Sequence, residues 1–352
     1  MIRIGILGCG RVVQKRYVEV FQSELSGVKI TAVCDQVKKK ADHVSSLLGC
    51  KAVYNEKDLM SSTDLDVVLI CTESGKHYYH ALAALNAGKH IIVEKPPALI
   101  PQEVIELEKI ARKKNLMFAV IFQNRFNPAM IKLKESYDNN RFGKIVLATI
   151  RLRWCRYQDY YEDGWHGTWK MDGGVVNQQA IHHIDALQWV CGSVDEVCAS
   201  TGNMLNNLEA EDTMIALTRF KSGAMGVIEA TTAARPEDFE ASMSIVGEKG
   251  TVVIGGIALN KIETWKFVHP HIEDKNIPSL YSFDVPTGYG LSHGPLLQEI
   301  VNRLKKGKII PPISGMDSLQ TLSLVHALYS SDENRSWVKL DNNPISNRLG
   351  KK

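Results

Sequence analysis

Residues Ile2–Val12 read IRIGILGCGRV, an apolar, β-rich run that breaks into glycines, and a helical stretch, VVQKRYVEVFQSEL, follows at once. A strand, a glycine turn and a helix in that order open a nucleotide-binding sheet. Gly8 allows the tight turn. Gly10 lets the backbone approach a diphosphate at the helix N-terminus, where free N–H groups and the helix dipole favour an anion. The third glycine of the usual fingerprint is absent, and Val13 stands in its place. Working outward, VKITAVCD, LDVVLICT, HIIVEK and LMFAVIFQN are further apolar runs separated by helical stretches. Strands alternating with helices predict a parallel, doubly wound α/β sheet, and continuous apolar strands fit burial on both faces.

In such a sheet, ligands sit outside the carboxyl ends of the strands. Asp35 ends the second strand. A carboxylate there accepts hydrogen bonds from ribose hydroxyls and repels a 2′-phosphate, so NAD(H) is expected over NADP(H). Lys38 to Lys40 argue the other way, since a nearby cation can admit a phosphate. Cys71–Thr72, Glu94–Lys95 and Gln123–Asn124–Arg125 end later strands. Pro96 and Pro97 lock the backbone after Lys95 and restrict the residue before them, so that its amine arrives at one place.

Beyond Arg125 the pattern changes. KIVLATIRLRWCRY alternates apolar and polar residues, as an antiparallel strand with one solvated side does. Asp172, Gly173 and Gly174 predict a turn, and a helix is expected from Asn177 onward. On that helix Ala180, Ile184, Leu187 and Cys191 form an apolar face, and Gln178, His182, Asp185 and Trp189 form a second stripe. His182, with Gln178 and Asp185 a turn to either side, is the site candidate; His183 lies about 100° round the helix and reads as structural. The segments EDTMIALTRF, GAMGVIEATTAA, ASMSIVGEKGTVVIGG and KIETWKFV predict a large, mostly antiparallel sheet. Two amphipathic helices, GPLLQEIVNRLKKGK and MDSLQTLSLVHALYSS, are expected to return to the first domain. The expected boundaries are 1–122 for the dinucleotide-binding domain, 123–340 for an α+β substrate and oligomerisation domain, and 341–352 for a tail.

The bulk properties exclude other classes. The chain has 352 residues, 44% hydrophobic, with a net charge of +3. That suffices for two cores and falls short of a nucleic-acid footprint. No apolar run approaches the ~18 residues of a membrane span, and no basic-then-apolar leader precedes the first strand. Cys9, Cys34, Cys71 and Cys191 lie in or beside apolar segments and read as buried hydrophobes in a reducing cytoplasm. Neither His182 nor His183 has a set of metal partners in the sequence.

GCGRV, Asp35, VEKP, NRFNP and GG…IHHID in this order resemble the glucose–fructose oxidoreductase and inositol dehydrogenase family, from Met1 to about Leu340. The resemblance implies a Rossmann domain, a C-terminal domain with an open, mostly antiparallel sheet, and hydride exchange between nicotinamide and a sugar or cyclitol. It also implies that Lys95 and His182 face the substrate. The family usually has an acid four residues before the histidine; here it is Gln178, which can orient a hydroxyl but cannot take a proton. Tyr160–Tyr161, WHGTWKMDGG and NQ…IH look most like the branch acting at C3 of UDP-linked N-acetylhexosamine or hexuronate sugars.

Cofactor contacts are expected from Gly8, Gly10, Arg11, Val12, Asp35, Cys71, Thr72, His77, Glu94, Lys95 and Gln123. Substrate contacts are expected from Arg125, Tyr160, Trp165, Lys170, Asn177 and His182, and no metal is expected. Tyr157, Tyr160, Tyr161, Trp165 and Trp169 are candidate stacking platforms for a base, and Arg156 and Lys170 the cations for a diphosphate. Oxidising a secondary alcohol removes a hydride and a proton. Histidine, with a pKa near ~6.5, is the best proton acceptor, and Lys95 stabilises the developing alkoxide. The alternatives are a free-sugar or inositol dehydrogenase and a non-catalytic NAD-binding regulator. A homodimer or homotetramer is expected through the C-terminal sheet, with Ile215, Met225, Val227 and Ile245 on its open face.

Overall fold

The computed structural model describes residues 1–351. The chain divides into two compact units, Met1–Phe122 with Ser292–Leu319, and Gln123–Leu291 with the chain from Gln320 onward.

The first unit holds six strands: β1 (Ile2–Leu7), β2 (Val28–Cys34), β3 (Lys51–Val53), β4 (Val67–Ile70), β5 (His90–Val93) and β6 (Phe118–Val120). They pair in parallel in the order β3-β2-β1-β4-β5-β6. The order reverses direction beside β1, which places a ligand crevice at the end of that strand. β4 is buried along its whole length, as its VVLI sequence predicts for a strand covered on both faces. The helix after β1 is π-helical over Val13–Tyr17 and Val20–Glu24. This wider winding, common near functional sites, buries both Val13 and Tyr17.

The helix His293–Lys305 belongs to this unit, and Ile313 accepts a hydrogen bond from the Val120 N–H (3.1 Å) beside β6. The unit boundary falls inside the next helix, Gly315–Asn334, so only the first of the two C-terminal helices lies wholly in the first unit. A continuous 123–340 domain is therefore interrupted by residues 292–319. Residues 341–351 are part of the second unit instead of a separate tail. Glu333 holds them, accepting from the Ser346 hydroxyl (2.6 Å), the Asn347 N–H (2.8 Å) and the Arg348 guanidinium (3.2 Å).

The second unit is an eight-stranded sheet of β7 (Ile145–Arg153), β8 (Val194–Gly202), β9 (Thr213–Phe220), β10 (Met225–Thr231), β11 (Glu240–Gly247), β12 (Gly250–Gly255), β13 (Lys261–Phe267) and β14 (Val338–Lys339). The order is β13-β12-β11-β7-β10-β9-β8-β14, antiparallel except between β7 and β10. Burial alternates residue by residue along β9, so one face is covered and the other open. The helix Ile181–Cys191 packs across β7 on the covered face. Ile215, Leu217, Met225 and Leu147 are exposed on the open face. Ile245, expected there, is fully buried because its register on β11 points it to the helix side.

Ahead of that helix the backbone turns at Gly173 (φ +75°) and Gly174. A Cβ on Gly174 would overlap the backbone and carboxyl group of Glu211. Glu211 clamps the turn: its carbonyl accepts the Val175 N–H (2.9 Å), and its Oε1 accepts the Val176 N–H (3.0 Å) and the Tyr329 hydroxyl (2.8 Å). Burial pushes this carboxyl from 4.5 up to about 7; the Val176 and Tyr329 hydrogen bonds, and more weakly the Arg348 charge, pull it back only in part. The folded chain therefore holds a proton that the unfolded chain has lost between about pH 4.5 and 7, and the stability from this group falls as pH rises through that window. Glu211→Gln keeps the accepting oxygen and removes the titration. Between about pH 5 and pH 8 the wild type should lose on the order of 2–3 kcal/mol relative to the variant in denaturant unfolding. A difference that stays constant with pH would show that Glu211 does not titrate in this window.

Candidate active site

In the first unit the glycine loop is defined by close approach. Gly8 has φ +93°, and a Cβ on it would lie 2.6 Å from the Cys71 carbonyl oxygen. Only glycine permits both. A Cβ on Gly10 would meet no protein atom within 4 Å. The fold itself has no need of glycine there; a diphosphate lying over the loop would supply the need. Asp35 Oδ2 accepts the Cys9 N–H (2.9 Å) and Oδ1 accepts the Val37 N–H (2.8 Å). The carboxylate is thus fixed at the strand end, and its remaining lone pairs suit ribose hydroxyls. Arg11 is exposed and Val12 half-buried beside this loop, and Lys38 to Lys40 are exposed on the first turn of the next helix. These residues fit an NAD dinucleotide.

Cys71 is buried at the end of β4, and its thiol is pushed well above its usual range, by burial first and by the charge of Glu94 second. The Thr72 hydroxyl bonds His80 Nδ1 (2.9 Å). His77, expected at the cofactor, lies between two strand ends. Its Nδ1 lies 2.7 Å from the Pro96 carbonyl and its Nε2 lies 2.9 Å from the Thr72 carbonyl. The neutral ring carries a single N–H and so donates to one of these two carbonyls. Burial lowers this imidazole to about 4, although both carbonyl contacts favour the charged ring.

Glu94 is held from within the same unit. Its side chain is buried, with Oε1 accepting from the Tyr17 hydroxyl (2.5 Å) and Oε2 from the Lys95 N–H (3.2 Å). Burial raises the Glu94 carboxyl above its usual range, and Tyr17 and Lys95 oppose the shift. Glu94 thus fixes the backbone at Lys95, whose side chain is half-buried. Tyr17 was not singled out in the sequence, because helical spacing does not register a π-helical offset.

In the second unit the residues gather around the turn and helix that carry His182. Gln178 and His182 do not share one continuous helix. A short helical turn, Val175–Gln178, breaks at Gln179–Ala180 before Ile181–Cys191 begins. Of the latter helix only His182 and Trp189 escape burial. His183 is buried edge-on to Trp154 (5.8 Å between centroids), and burial lowers its imidazole to about 4, so it packs as a neutral ring. Asp185, fully buried, receives Arg125 through Nε (2.8 Å) and a second guanidinium nitrogen (2.7 Å), and also the Thr321 hydroxyl (2.9 Å). Arg125 is therefore a bidentate structural partner of Asp185 at the Gln123–Phe126 turn.

Asp172 ties the turn together. Its Oδ1 accepts from Gln178 Nε2 (2.5 Å), its Oδ2 from the Gly167 N–H (3.0 Å), and its carbonyl from Asn177 Nδ2 (2.6 Å). The aromatic segment before it divides. Trp165, His166 and Tyr160 form one cluster of tilted rings, with centroids 3.7 Å apart for Trp165–His166 and 4.3 Å for Tyr160–His166. Burial, and then the charge of Asp172, push the Tyr160 hydroxyl far above its usual range. His166, overlooked in the sequence, pairs through Nδ1 with Asp163 (2.6 Å), a spacing of three residues that could have signalled it.

The other candidate platforms are structural. Trp169 packs edge-on to Tyr329 and under Arg348, Tyr161 bonds the Thr232 hydroxyl (2.7 Å), and Tyr157 lies under Arg235. Arg156 is paired with Asp238 (2.8 Å), and Lys170 is exposed beside Arg348 and Lys351. No group of His, Cys, Asp and Glu among the described residues could hold a metal ion.

The sequence matches an oxidoreductase family with an NAD-binding Rossmann fold over residues 2–122 and the GFO/IDH/MocA C-terminal domain over residues 130–253. The WlbA dehydrogenase of Bordetella pertussis, solved in complex with NADH and UDP-GlcNAcA, is 32% identical, with a TM-score of 0.91, covering 96% of this chain and 97% of that one. The myo-inositol 2-dehydrogenase of Thermotoga maritima is 26% identical over 97% of this chain and 99% of its own length. The D-glucoside 3-dehydrogenase of Escherichia coli K12 is 31% identical over 54% of each chain. Sequence and fold thus agree over both units, and the chain belongs to the GFO/IDH/MocA family as an NAD-dependent oxidoreductase.

Proposed function

We propose that the protein transfers a hydride between NAD and a ring secondary hydroxyl, at C3, of a nucleotide-linked sugar. The observation that carries this reading is the full-length likeness, at 32% identity, to a dehydrogenase solved with UDP-GlcNAcA. The aromatic cluster of Trp165, His166 and Tyr160 ahead of the His182 helix, with Trp165 and Tyr160 partly exposed, supports it. A cyclitol or free sugar is the second reading, favoured by full-length inositol dehydrogenase relatives at 24–26% identity. In either case His182 accepts the hydroxyl proton and Lys95 stabilises the alkoxide charge. The bound nicotinamide supplies the hydride chemistry. A remote nucleotide adds binding energy that holds the sugar carbon in place.

The assembly we propose is a homodimer or homotetramer through the open face of the second sheet. The exposed Ile215, Leu217, Met225 and Leu147 make that face costly to leave in water.

Three outcomes follow. NADP should bind at least ~10-fold more weakly than NAD in calorimetric titration, because Asp35 meets the 2′-phosphate, and Asp35→Ala should narrow the gap; tighter NADP binding would show that Lys38 to Lys40 prevail. UDP-GlcNAcA should exceed both the free hexuronate and myo-inositol in kcat/KM, and Lys95→Met and His182→Ala should each lower kcat by ~10²–10⁴-fold on the best substrate, His182→Ala without loss of NAD binding. Equal turnover of myo-inositol would transfer the assignment to the cyclitol reading. Light scattering at micromolar concentration should give a mass of two or four chains, and a monomer would reject the sheet interface.

A further inference from the structure

His80 lies between two partners within the first unit. The helix His77–Asn86 carries it, and 12% of its side chain is exposed, so a proton can reach it. Its Nε2 lies 2.8 Å from Oε2 of Glu56, at the start of the short helix Glu56–Met60. Its Nδ1 lies 2.9 Å from the hydroxyl of Thr72, just after β4. A carboxylate only accepts, so Nε2 carries the N–H, and in the neutral ring Nδ1 is the bare nitrogen. The Thr72 hydroxyl must then donate to it. Protonation reverses that bond: Nδ1 gains an N–H, Thr72 accepts, and the hydroxyl hydrogen is released to another acceptor.

Thr72 stands where such an acceptor is expected. β4 neighbours β1 at the point where the strand order reverses, and ligands of such sheets sit outside those strand ends. A Cβ on Gly8 would lie 2.8 Å from the Thr72 backbone nitrogen, so Thr72 borders the glycine loop that fits a diphosphate. A diphosphate is an acceptor and an anion, and both properties favour the protonated ring.

The surrounding charges leave His80 able to respond. Burial holds the imidazole below its usual range and Glu56 opposes that shift, while Lys76 and Glu73, paired with each other at 3.0 Å, act in opposite directions. The free protein therefore holds a neutral ring near pH 7, the state that can take up a proton. His77, on the same helix, is lowered to about 4 by burial and stays neutral throughout this range.

We propose that Glu56, His80 and Thr72 form a proton-linked relay at the glycine loop, in which NAD(H) binding draws a proton onto His80 and turns the Thr72 hydroxyl from the ring to the diphosphate. Glu56 is a positioning residue that fixes the tautomer, and Thr72 transmits the change to the cofactor. The proposal rests on the NAD-binding fold and is indifferent to which sugar the enzyme takes. Its sign follows from linkage. A group that gains a proton on binding makes binding tighter as pH falls through the range between its free and bound midpoints.

The test is calorimetric titration with NAD in two buffers of different ionisation enthalpy. At about pH 6.5 the wild type should take up at least ~0.3 proton per NAD bound, and Kd should tighten by ~3- to 10-fold between about pH 8 and pH 6. ADP-ribose, which keeps the diphosphate and lacks the nicotinamide, should give the same uptake. His80→Gln should abolish the uptake, Thr72→Val should at least halve it, and Thr72→Ser, which retains the hydroxyl, should preserve it. In ¹⁵N-histidine NMR of the wild type, the assigned His80 ring should titrate at a higher pH with ADP-ribose bound than without it. A purely structural role for the three residues predicts variants that weaken NAD binding equally at both pH values. That result, no uptake in the wild type, wild-type uptake in His80→Gln or Thr72→Val, or a His80 midpoint unmoved by ADP-ribose would each overturn the proposal. If the variants do not fold, the wild-type calorimetry and NMR decide it alone.

Discussion

A carboxylate removed from water must find donors, and most of the site scaffold is arranged around that requirement. Asp212, fully buried, gathers the N–H groups of Met204 (2.8 Å), Leu205 (3.0 Å) and Asn206 (2.9 Å) and so closes the loop after β8. Asp274 takes both arms of Arg141 (2.8 and 2.7 Å) and the Trp265 indole (2.8 Å), which holds it well below the usual carboxylate range. Asp185 holds Arg125, Glu211 holds the turn at Gly174, and Asp172 holds Gln178. In the first unit Asp35 and Glu94 do the same for the glycine loop and for Lys95. Each acid converts a flexible connection into a fixed one, because releasing it would leave donors or acceptors without a partner.

This arrangement explains which parts of the molecule could be read from sequence. The parallel sheet was legible because β1, β2, β4 and β5 are continuous apolar runs bounded by turn residues, and their order follows from strand–helix alternation. Gly8 and Asp35 were legible because local geometry constrains them: one needs a positive φ, the other ends a strand. The antiparallel sheet was legible from period-two alternation, and β9 shows it residue by residue. The parallel pairing of β7 with β10 was not, because the strands are far apart in sequence and carry no local mark of direction.

Individual residue types were legible in the sequence, and their partners were not. His182 and Lys95 stood out as reactive types in unusual places. Arg125, Glu94 and His77 were also reactive types, but long-range partners engage them: Asp185 sixty residues on for Arg125, Tyr17 seventy-seven residues back for Glu94, and the Pro96 carbonyl for His77. Such pairings follow from packing, which residue spacing does not encode. The break at Gln179–Ala180 was missed for a related reason. The stripe of Gln178, His182, Asp185 and Trp189 has helical spacing, and that spacing does not mark where the turn Val175–Gln178 gives way to the next helix.

The division between holding and reacting groups has a chemical consequence. A group that must exchange a proton with substrate has to be reachable, and a group that positions it gains from being buried, where a hydrogen bond is stronger and water does not compete. On the helix Ile181–Cys191 the residue between neighbours Ile181 and His183, both buried, is His182, and it alone among the helix's ionisable side chains keeps some exposure. Lys95 likewise is half-buried between the buried Glu94 and Pro96. Had an acid stood at position 178, within hydrogen-bonding distance of Asp172, two carboxyl groups would have competed for one proton in a dry site, and one of them would have been driven to hold it. Glutamine avoids that competition while still giving Asp172 the donor it requires. The neutral residue at 178 and the buried acid at 172 are therefore one solution, and neither is explained without the other.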